Sequence, residues 1–465
     1  MNTQCTSAHI DYKALGRRRV TAHFDGGDIT SDAGSLLLRE IEEKHGIIAR
    51  AAQWFTDWRD PGRVEHSIEE LLRQRVFGLV LGYSDLNDHE ELRLDPVLAA
   101  AVGKVDPKGE DRKRQADRGA ALAGKSTLNR LELGCVHGGE GHRYKPFDCD
   151  LEGLESELIE LWVDSFGGPP EVLVLDADAT DFELHGDQED KFYHGYYGHY
   201  CYLPLYIFAQ DWLVACRLRR SDQDASRGTL RHLEAIVTRV RSQWPETQIV
   251  LRGDSGFARD HILSWCEEWE VDYVIGLAKN DRLKERIKPA MAAAKRGFER
   301  TGEATREFAS FKYRTLTSWS CIRRVIGKAE VLPGRENPRF VVTSLAAKDF
   351  GARHVYEDLY CARGDAENRI REQLELFADQ MSTHWTRSNQ LRLYLSALAY
   401  LFICLLRRAA NVVDWQGLRP TTIRLRLLKI GAQVKITTRR IWIQMASSCP
   451  WQRQFRAVFR HLAGG

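Results

Sequence analysis

Residues 171–181 read E-V-L-V-L-D-A-D-A-T-D and follow Gly167-Gly168-Pro169-Pro170 directly. An apolar run with two β-branched residues, set behind paired glycines and prolines, reads as a strand that opens abruptly after a loop. The run then turns acidic. Alternate residues of a strand share a face, so Asp176 and Asp178 point the same way. A carboxylate pair at a strand end suits Mg²⁺, which takes oxygen ligands and keeps several waters. An acidic loop after a strand accounts for the same residues equally well.

Outward from this stretch, residues 202–209 and 212–218 are strand candidates joined by a short turn, and residues 226–243 have helical periodicity. Residues 248–254 (Q-I-V-L-R-G-D) are again strand-like and again end on an aspartate, and residues 273–277 form a further strand after another helix. Three adjacent strands followed by alternating helix and strand imply a mixed α/β sheet covered by helices, spread over residues 166–278. Residues 279–345 shift to charged, alternating segments such as 311–319 and 340–344, a small β-rich insertion. Helical texture resumes over 346–415. Residues 1–165 read mostly helical, with Ser67 and Glu70 spaced as a capping box ahead of an apolar-periodic run. Residues 416–465 close the chain.

Two further acids stand out. Asp254 lies between Gly253 and Gly256 at a strand end, where glycines permit a tight turn and close approach by a phosphate or metal. The G-D-S-G here also surrounds the nucleophile of secreted serine proteases, but Phe257 replaces that pattern's second glycine and the N-terminal residues carry no apolar signal-peptide core. Glu367 sits four residues after Arg363 and four before Arg371, so a salt-bridged helix face explains it when taken alone. Its distance from Asp178 and Asp254 changes the weighting. Acids 76 and 113 residues apart come from separate elements, which no regular surface pattern explains.

The net charge of +2 conceals an asymmetry: residues 416–465 hold ten Lys and Arg and no acid, leaving 57 basic against 65 acidic residues elsewhere. A basic end on an acidic body points to a polyanion such as nucleic acid. Arg424, Arg426, Lys429, Arg439 and Arg440 alternate with large apolar residues, the pattern of a packed element with one charged side that contacts phosphates. The ten cysteines show no C-x-x-C pair and imply a reducing compartment rather than a disulfide scaffold or a zinc site. The longest charge-free apolar run, residues 393–406, suits a buried core helix better than a membrane span. Residues 119–126 match G-x-x-x-x-G-K-S literally, yet the charged stretch before them cannot be the buried strand a phosphate loop needs, and the alanine-rich loop itself reads as helical.

Taken together, L-D-A-D-A-T-D, H-G-D-Q, H-G-Y-Y-x-H-Y-C-Y-L-P-L, R-G-D-S-G-F and Y-x-x-R-x-x-x-E resemble a DDE transposase of a bacterial insertion sequence. Within that group the chain is similar to the insertion-sequence thirteen-eighty family, which shares the Y-R-E-K signature, and its T-I-R-x-R-L-L-K-I tail matches as well. The resemblance implies an RNase-H-like core interrupted by the β-rich insertion, with Asp178, Asp254 and Glu367 as the acidic triad holding two Mg²⁺ or Mn²⁺ ions. Asp176 is then a neighbouring acid of open role. Tyr360 and Arg363 fall on the signature positions near the cleaved DNA end. The signature's lysine falls on Leu374, which leaves its phosphate contact to Arg371 or another basic residue. The resemblance further implies double-stranded DNA partners (terminal inverted repeats and target) and a homodimer on paired ends; the cysteine pattern, the short apolar run and the mismatched phosphate loop add a cytoplasmic location, nucleoid-associated when on DNA, with no membrane and no nucleotide cofactor. A metal-dependent nuclease without strand transfer, and a decayed DNA-binding relative, fit the same residues.

Overall fold

A computed structural model describes residues 9–134 and 146–464. Cys5 and Cys135 lie outside them. The chain divides into two compact units: residues 53–58 with 132–404, and the described residues of 1–52, 59–131 and 405–465.

The first unit is built on one mixed sheet. Its main strands are β1 (Val172–Ala179), β2 (Leu205–Ala209), β3 (Trp212–Arg217), β4 (Gln248–Gly253), β5 (Asp272–Leu277), β6 (Thr305–Tyr313), β7 (Arg323–Leu332) and β8 (Arg339–Thr343). They lie in the order β3-β2-β1-β4-β5-β8-β7-β6, with Arg335–Glu336 pairing on β7 as a ninth strand. β1 runs antiparallel to β2 and parallel to β4, and β4 runs parallel to β5. This is the large mixed sheet flanked by helices that an RNase-H-like core leads one to expect. Residues 279–345 supply β6, β7 and β8, which continue this sheet from β5 outward.

The central strands are apolar on both faces because helices cover both. Leu173, Leu175, Ile249, Leu251, Val274 and Ile275 are all buried. Helix α1 (Thr229–Gln243) buries Leu233, Ile236, Val237 and Val240, the i, i+3, i+4, i+7 stripe of a helix lying on a core. Helix α2 (Asp260–Glu268) connects β4 to β5.

After β8 the chain forms a π-helical turn, Val355–Tyr360, anchored by Val355 and Tyr356 in a cluster with Val250, Val274, Ile326 and Val341. A short 3-10 turn (Cys361–Arg363) leads into α3 (Gly364–Leu374), and α4 (Thr386–Ala410) follows. Phe377 adopts a left-handed conformation (φ 65°) between α3 and α4, which separates them. α4 is long and apolar enough to cross a membrane, yet 89% of its most apolar window is buried inside protein, as in a core helix.

In the second unit, Ser67 and Glu70 form the reciprocal capping box at the start of helix Ile68–Leu81. Strands Ile29–Thr30, Ala432–Thr437 and Arg440–Met445 make a small sheet that joins the chain's two ends. Gly34 crosses the Leu427 carbonyl so closely that a Cβ has no room. Hairpin Ile10–Leu15/Arg18–Ala22 forms a separate two-stranded sheet. Residues 120–124 are irregular rather than helical, because the Gln74 side chain takes both the N–H and the C=O of Ala123 (2.9 and 2.8 Å). The Lys125 N–H donates to Glu90 and its ammonium to Asn87, both at 2.9 Å.

Candidate active site

Asp178 and Asp254 stand at the carboxyl ends of neighbouring parallel strands, where open α/β sheets place their ligands. β1 and β4 pair with Asp176 opposite Arg252 and Ala177 opposite Gly253. Asp178 is 7% exposed; its Oδ1 accepts the Ala179 N–H (2.9 Å) and its Oδ2 a guanidinium hydrogen from Arg363 (2.8 Å). Burial pushes its carboxyl up to about 6, against the pull of Arg363, and the charge of nearby Asp254 adds to the rise. Asp254 itself is half-buried and turns back on its own loop, accepting the Gly256 N–H at 2.8 Å.

Arg363 joins the first and third acids. One guanidinium nitrogen holds Asp178, and the other lies 3.5 Å from Glu367 Oε1 on α3. Glu367 therefore does carry the helix-surface ion pair that its spacing allowed, while its partner reaches into the strand-end crevice. Its side chain remains 57% exposed. The Tyr360 hydroxyl lies against β5 at Gly276, where an added Cβ would come within 2.6 Å of it and 3.2 Å of the Asp254 carbonyl carbon. Gly276 is thus the opening that admits the ring beside Asp254. Burial raises the Tyr360 phenol, with Arg363 opposing and the Asp254 charge adding to the shift. Arg371 is exposed one turn beyond Glu367, and Leu374 is 37% exposed.

Asp176 is held by a different set of side chains. It is fully buried, and Arg252 grips it with both edges, Nε to Oδ1 and Nη2 to Oδ2, each at 2.7 Å. Arg369 of α3 adds a third contact at 3.3 Å. Arg252 also donates to the Leu359 carbonyl at 2.9 Å, next to Tyr360. One carboxylate therefore ties β1, β4, the π-turn and α3 together. Neither Arg252 nor Arg369 was singled out by sequence reasoning. The available signal was one charged residue in each of two adjoining apolar strands, at the same distance from an acid.

The basic candidates divide. Arg424 donates to the Val80 and Leu79 carbonyls (2.7 and 3.0 Å), capping helix Ile68–Leu81. Arg426 stacks on Trp415 and Trp451 at 4.9 and 4.8 Å. Lys429 pairs with buried Asp32 at 2.7 Å and lies over the Tyr83 ring. Arg439 and Arg440 are exposed at a hairpin turn.

Among the described residues, no group of three or more His, Cys, Asp or Glu side chains is gathered tightly enough to hold a metal ion. The donor set nonetheless fits a hard divalent cation: oxygen only, with a buried carboxyl raised by burial and by a second acid, and a cationic guanidinium already drawn between Asp178 and Glu367.

No curated protein matches the sequence. Among solved structures, the cryo-EM structure of the piggyBac transposase synaptic complex with hairpin DNA is similar at TM-score 0.41 and 11% identity, over 85% of this chain and 79% of that one. The family described as Transposase DDE domain group 1 matches residues 12–464, nearly the whole sequence. The chain belongs to that DDE transposase family.

Proposed function

We propose that this chain cleaves DNA at the ends of an insertion sequence and joins the freed 3′ end to target DNA, as a bacterial transposase of the insertion-sequence thirteen-eighty type. The observation that carries the reading is the placement of Asp178 and Asp254 at the ends of adjacent parallel strands, just past the Ala177–Gly253 pair, with Glu367 linked to Asp178 through Arg363. Asp178, Asp254 and Glu367 would hold two Mg²⁺ or Mn²⁺ ions, whose chemistry is activation of a water or 3′-hydroxyl and stabilisation of the leaving oxygen. The chain's own residues do the rest. Arg363 binds the phosphate beside the scissile bond by exchanging its carboxylate contacts for phosphate oxygens, a geometry its planar fork matches. Tyr360, seated over Gly276, limits how the strand lies against Asp254. Arg371 holds the next phosphate in place of the lysine absent at Leu374. Arg439 and Arg440 contact the duplex backbone without reading sequence. Arg424, Arg426 and Lys429 serve that surface indirectly, by holding the element that presents it.

Terminal inverted repeats and target are the double-stranded partners, engaged by a homodimer on paired ends in the cytoplasm, with the helical N-terminal region recognising the ends. Replacing Asp254 by Asn should abolish Mg²⁺-dependent end cleavage with DNA binding largely retained. Undiminished cleavage would refute the assignment. A joining assay with pre-cleaved ends separates this reading from a nuclease without strand transfer, which would yield no joined product.

A further inference from the structure

The excursion between β1 and β2 carries chemistry that the acids do not use. Beyond Asp178 the chain builds a three-stranded antiparallel sheet in the order Phe182–Glu183, His199–Tyr202, Phe192–His194. The last two strands form a hairpin closed by Gly198, whose N–H donates to the His194 carbonyl at 2.8 Å and whose φ is +81°. Its turn is a run of rings. Tyr197 lies 4.8 Å from His194, 5.1 Å from Tyr196 and 6.0 Å from His199, the last nearly parallel at 18°. Tyr193 and Tyr200 pair across the strands at 5.6 Å.

These rings are held firmly yet left open. Asp181 bonds His199 at 2.8 Å, Ser221 donates to the Phe192 carbonyl at 3.0 Å, and Arg220 stacks on Phe192 at 4.2 Å. Even so, Tyr196 is 86% exposed, Tyr193 59% and Tyr200 49%. The hairpin also lies close to the acids. Asp181 is three residues past Asp178, and Leu205 and Tyr206, just after the hairpin's last strand, pair with Ala179 and Asp178 on β1.

The charge around the rings argues against a phosphate. Residues 180–204 hold five acids and a single Lys or Arg, Lys191, which is paired with Asp187 at 3.0 Å, and Arg220 over Phe192 is paired with Asp222 at 2.8 Å. A surface that repels phosphate but offers rigid aromatic faces suits the π-face of a nucleobase, since every base has one and stacking tolerates any sequence. We propose that the Tyr196–Tyr197 turn is a stacking platform for an unpaired base of the strand whose phosphate is presented to Asp178 and Asp254. The proposal rests on the reading of that site as DNA-cleaving.

The test uses the full chain in Ca²⁺, with two probes: a blunt duplex, and the same duplex with a short single-stranded overhang containing 2-aminopurine. The wild-type chain should bind the overhang duplex more tightly than the blunt one and quench the 2-aminopurine. Tyr196→Ala should weaken overhang binding by about fivefold or more and lose the quenching, leaving blunt-duplex affinity unchanged, and Tyr196→Trp should retain both signals. An unaltered melting temperature for Tyr196→Ala, expected of so exposed a residue, shows the chain still folds. If Tyr196→Ala binds and quenches as the wild type does, the platform is overturned while the cleavage reading stands. If the wild type binds neither duplex, the DNA-cleaving reading itself falls, and the platform with it.

Discussion

Asp176→Asn tests the structural logic of the site most sharply. The substitution is nearly isosteric, but it leaves Arg252 and Arg369 facing an amide that offers one acceptor and a donor. The wild-type carboxylate is fully buried and receives contacts at 2.7, 2.7 and 3.3 Å. Breaking a buried pair by removing one partner costs about 3–5 kcal/mol, mostly because the other charge stays buried without compensation. At about 2–4 °C per kcal/mol for a domain of this size class, the melting temperature should fall by roughly 6–20 °C. Thermal and urea melts in parallel give the magnitude. A second chain, Asp176→Leu with Arg252→Met, separates stability from positioning. Replacing the pair by apolar groups should recover much of the lost stability, while cleavage stays low because the Leu359 carbonyl and α3 lose their tether. A single-variant melt within about 2 °C of wild type, together with normal cleavage, would refute the idea that this carboxylate organises the site.

Asp178 should behave in the opposite way. Its folded value of about 6 lies above the ordinary 3.8, so the charged form destabilises the fold above pH 6 and the deficit vanishes as pH falls below 3.8. Asp178→Asn should therefore melt higher than wild type at pH 7 in EDTA, by no more than about 3 kcal/mol, with the gain shrinking toward pH 4; a lower melt at pH 7 contradicts this. Gly276→Ala places a Cβ 2.6 Å from the Tyr360 hydroxyl and 3.0 Å from the Ser255 nitrogen. It should cost about 1–3 kcal/mol and reduce cleavage more than it reduces stability, as paired melts and cleavage rates would reveal. Burial and the nearby Lys104 and Arg112 lower His66 from 6.5 to about 3. Its contribution is therefore complete above pH 6.5 and is lost as pH falls toward 3, by up to about 5 kcal/mol, and His66→Asn should flatten that limb of a urea stability profile.

How much of this was legible beforehand depended on whether local pattern or long-range pairing decided the outcome. The strand over 172–179 and its partner over 248–253 were readable because apolar runs bounded by turn residues have few other fates. The acids at their ends followed. Strand pairing was not readable: residues 279–345 read as a small β-rich insertion, and nothing in their pattern showed that its strands continue the same sheet. The same limit hid the difference between Asp176 and Asp178. Their spacing puts both on one face, but only the register of β1 on β4 sets Arg252 opposite Asp176 and leaves Asp178 to the crevice. Alternating basic and apolar residues over 423–430 suggested one charged outer side. The segment instead turns π-helical, and the heads of Arg424 and Lys429 find a helix end and a buried aspartate far away in sequence.

The central claim is that three carboxylates from β1, β4 and α3 act as one DNA-cleaving site. The most direct measurement incubates the wild-type and Glu367→Gln chains with the flanking inverted repeats and Mg²⁺, and maps nicks at nucleotide resolution. Wild type should nick the DNA at the element ends, and EDTA should abolish the nicks. Glu367→Gln should give no nicks above background while still shifting the same DNA. Nicking by Glu367→Gln at the wild-type rate and positions would contradict the claim.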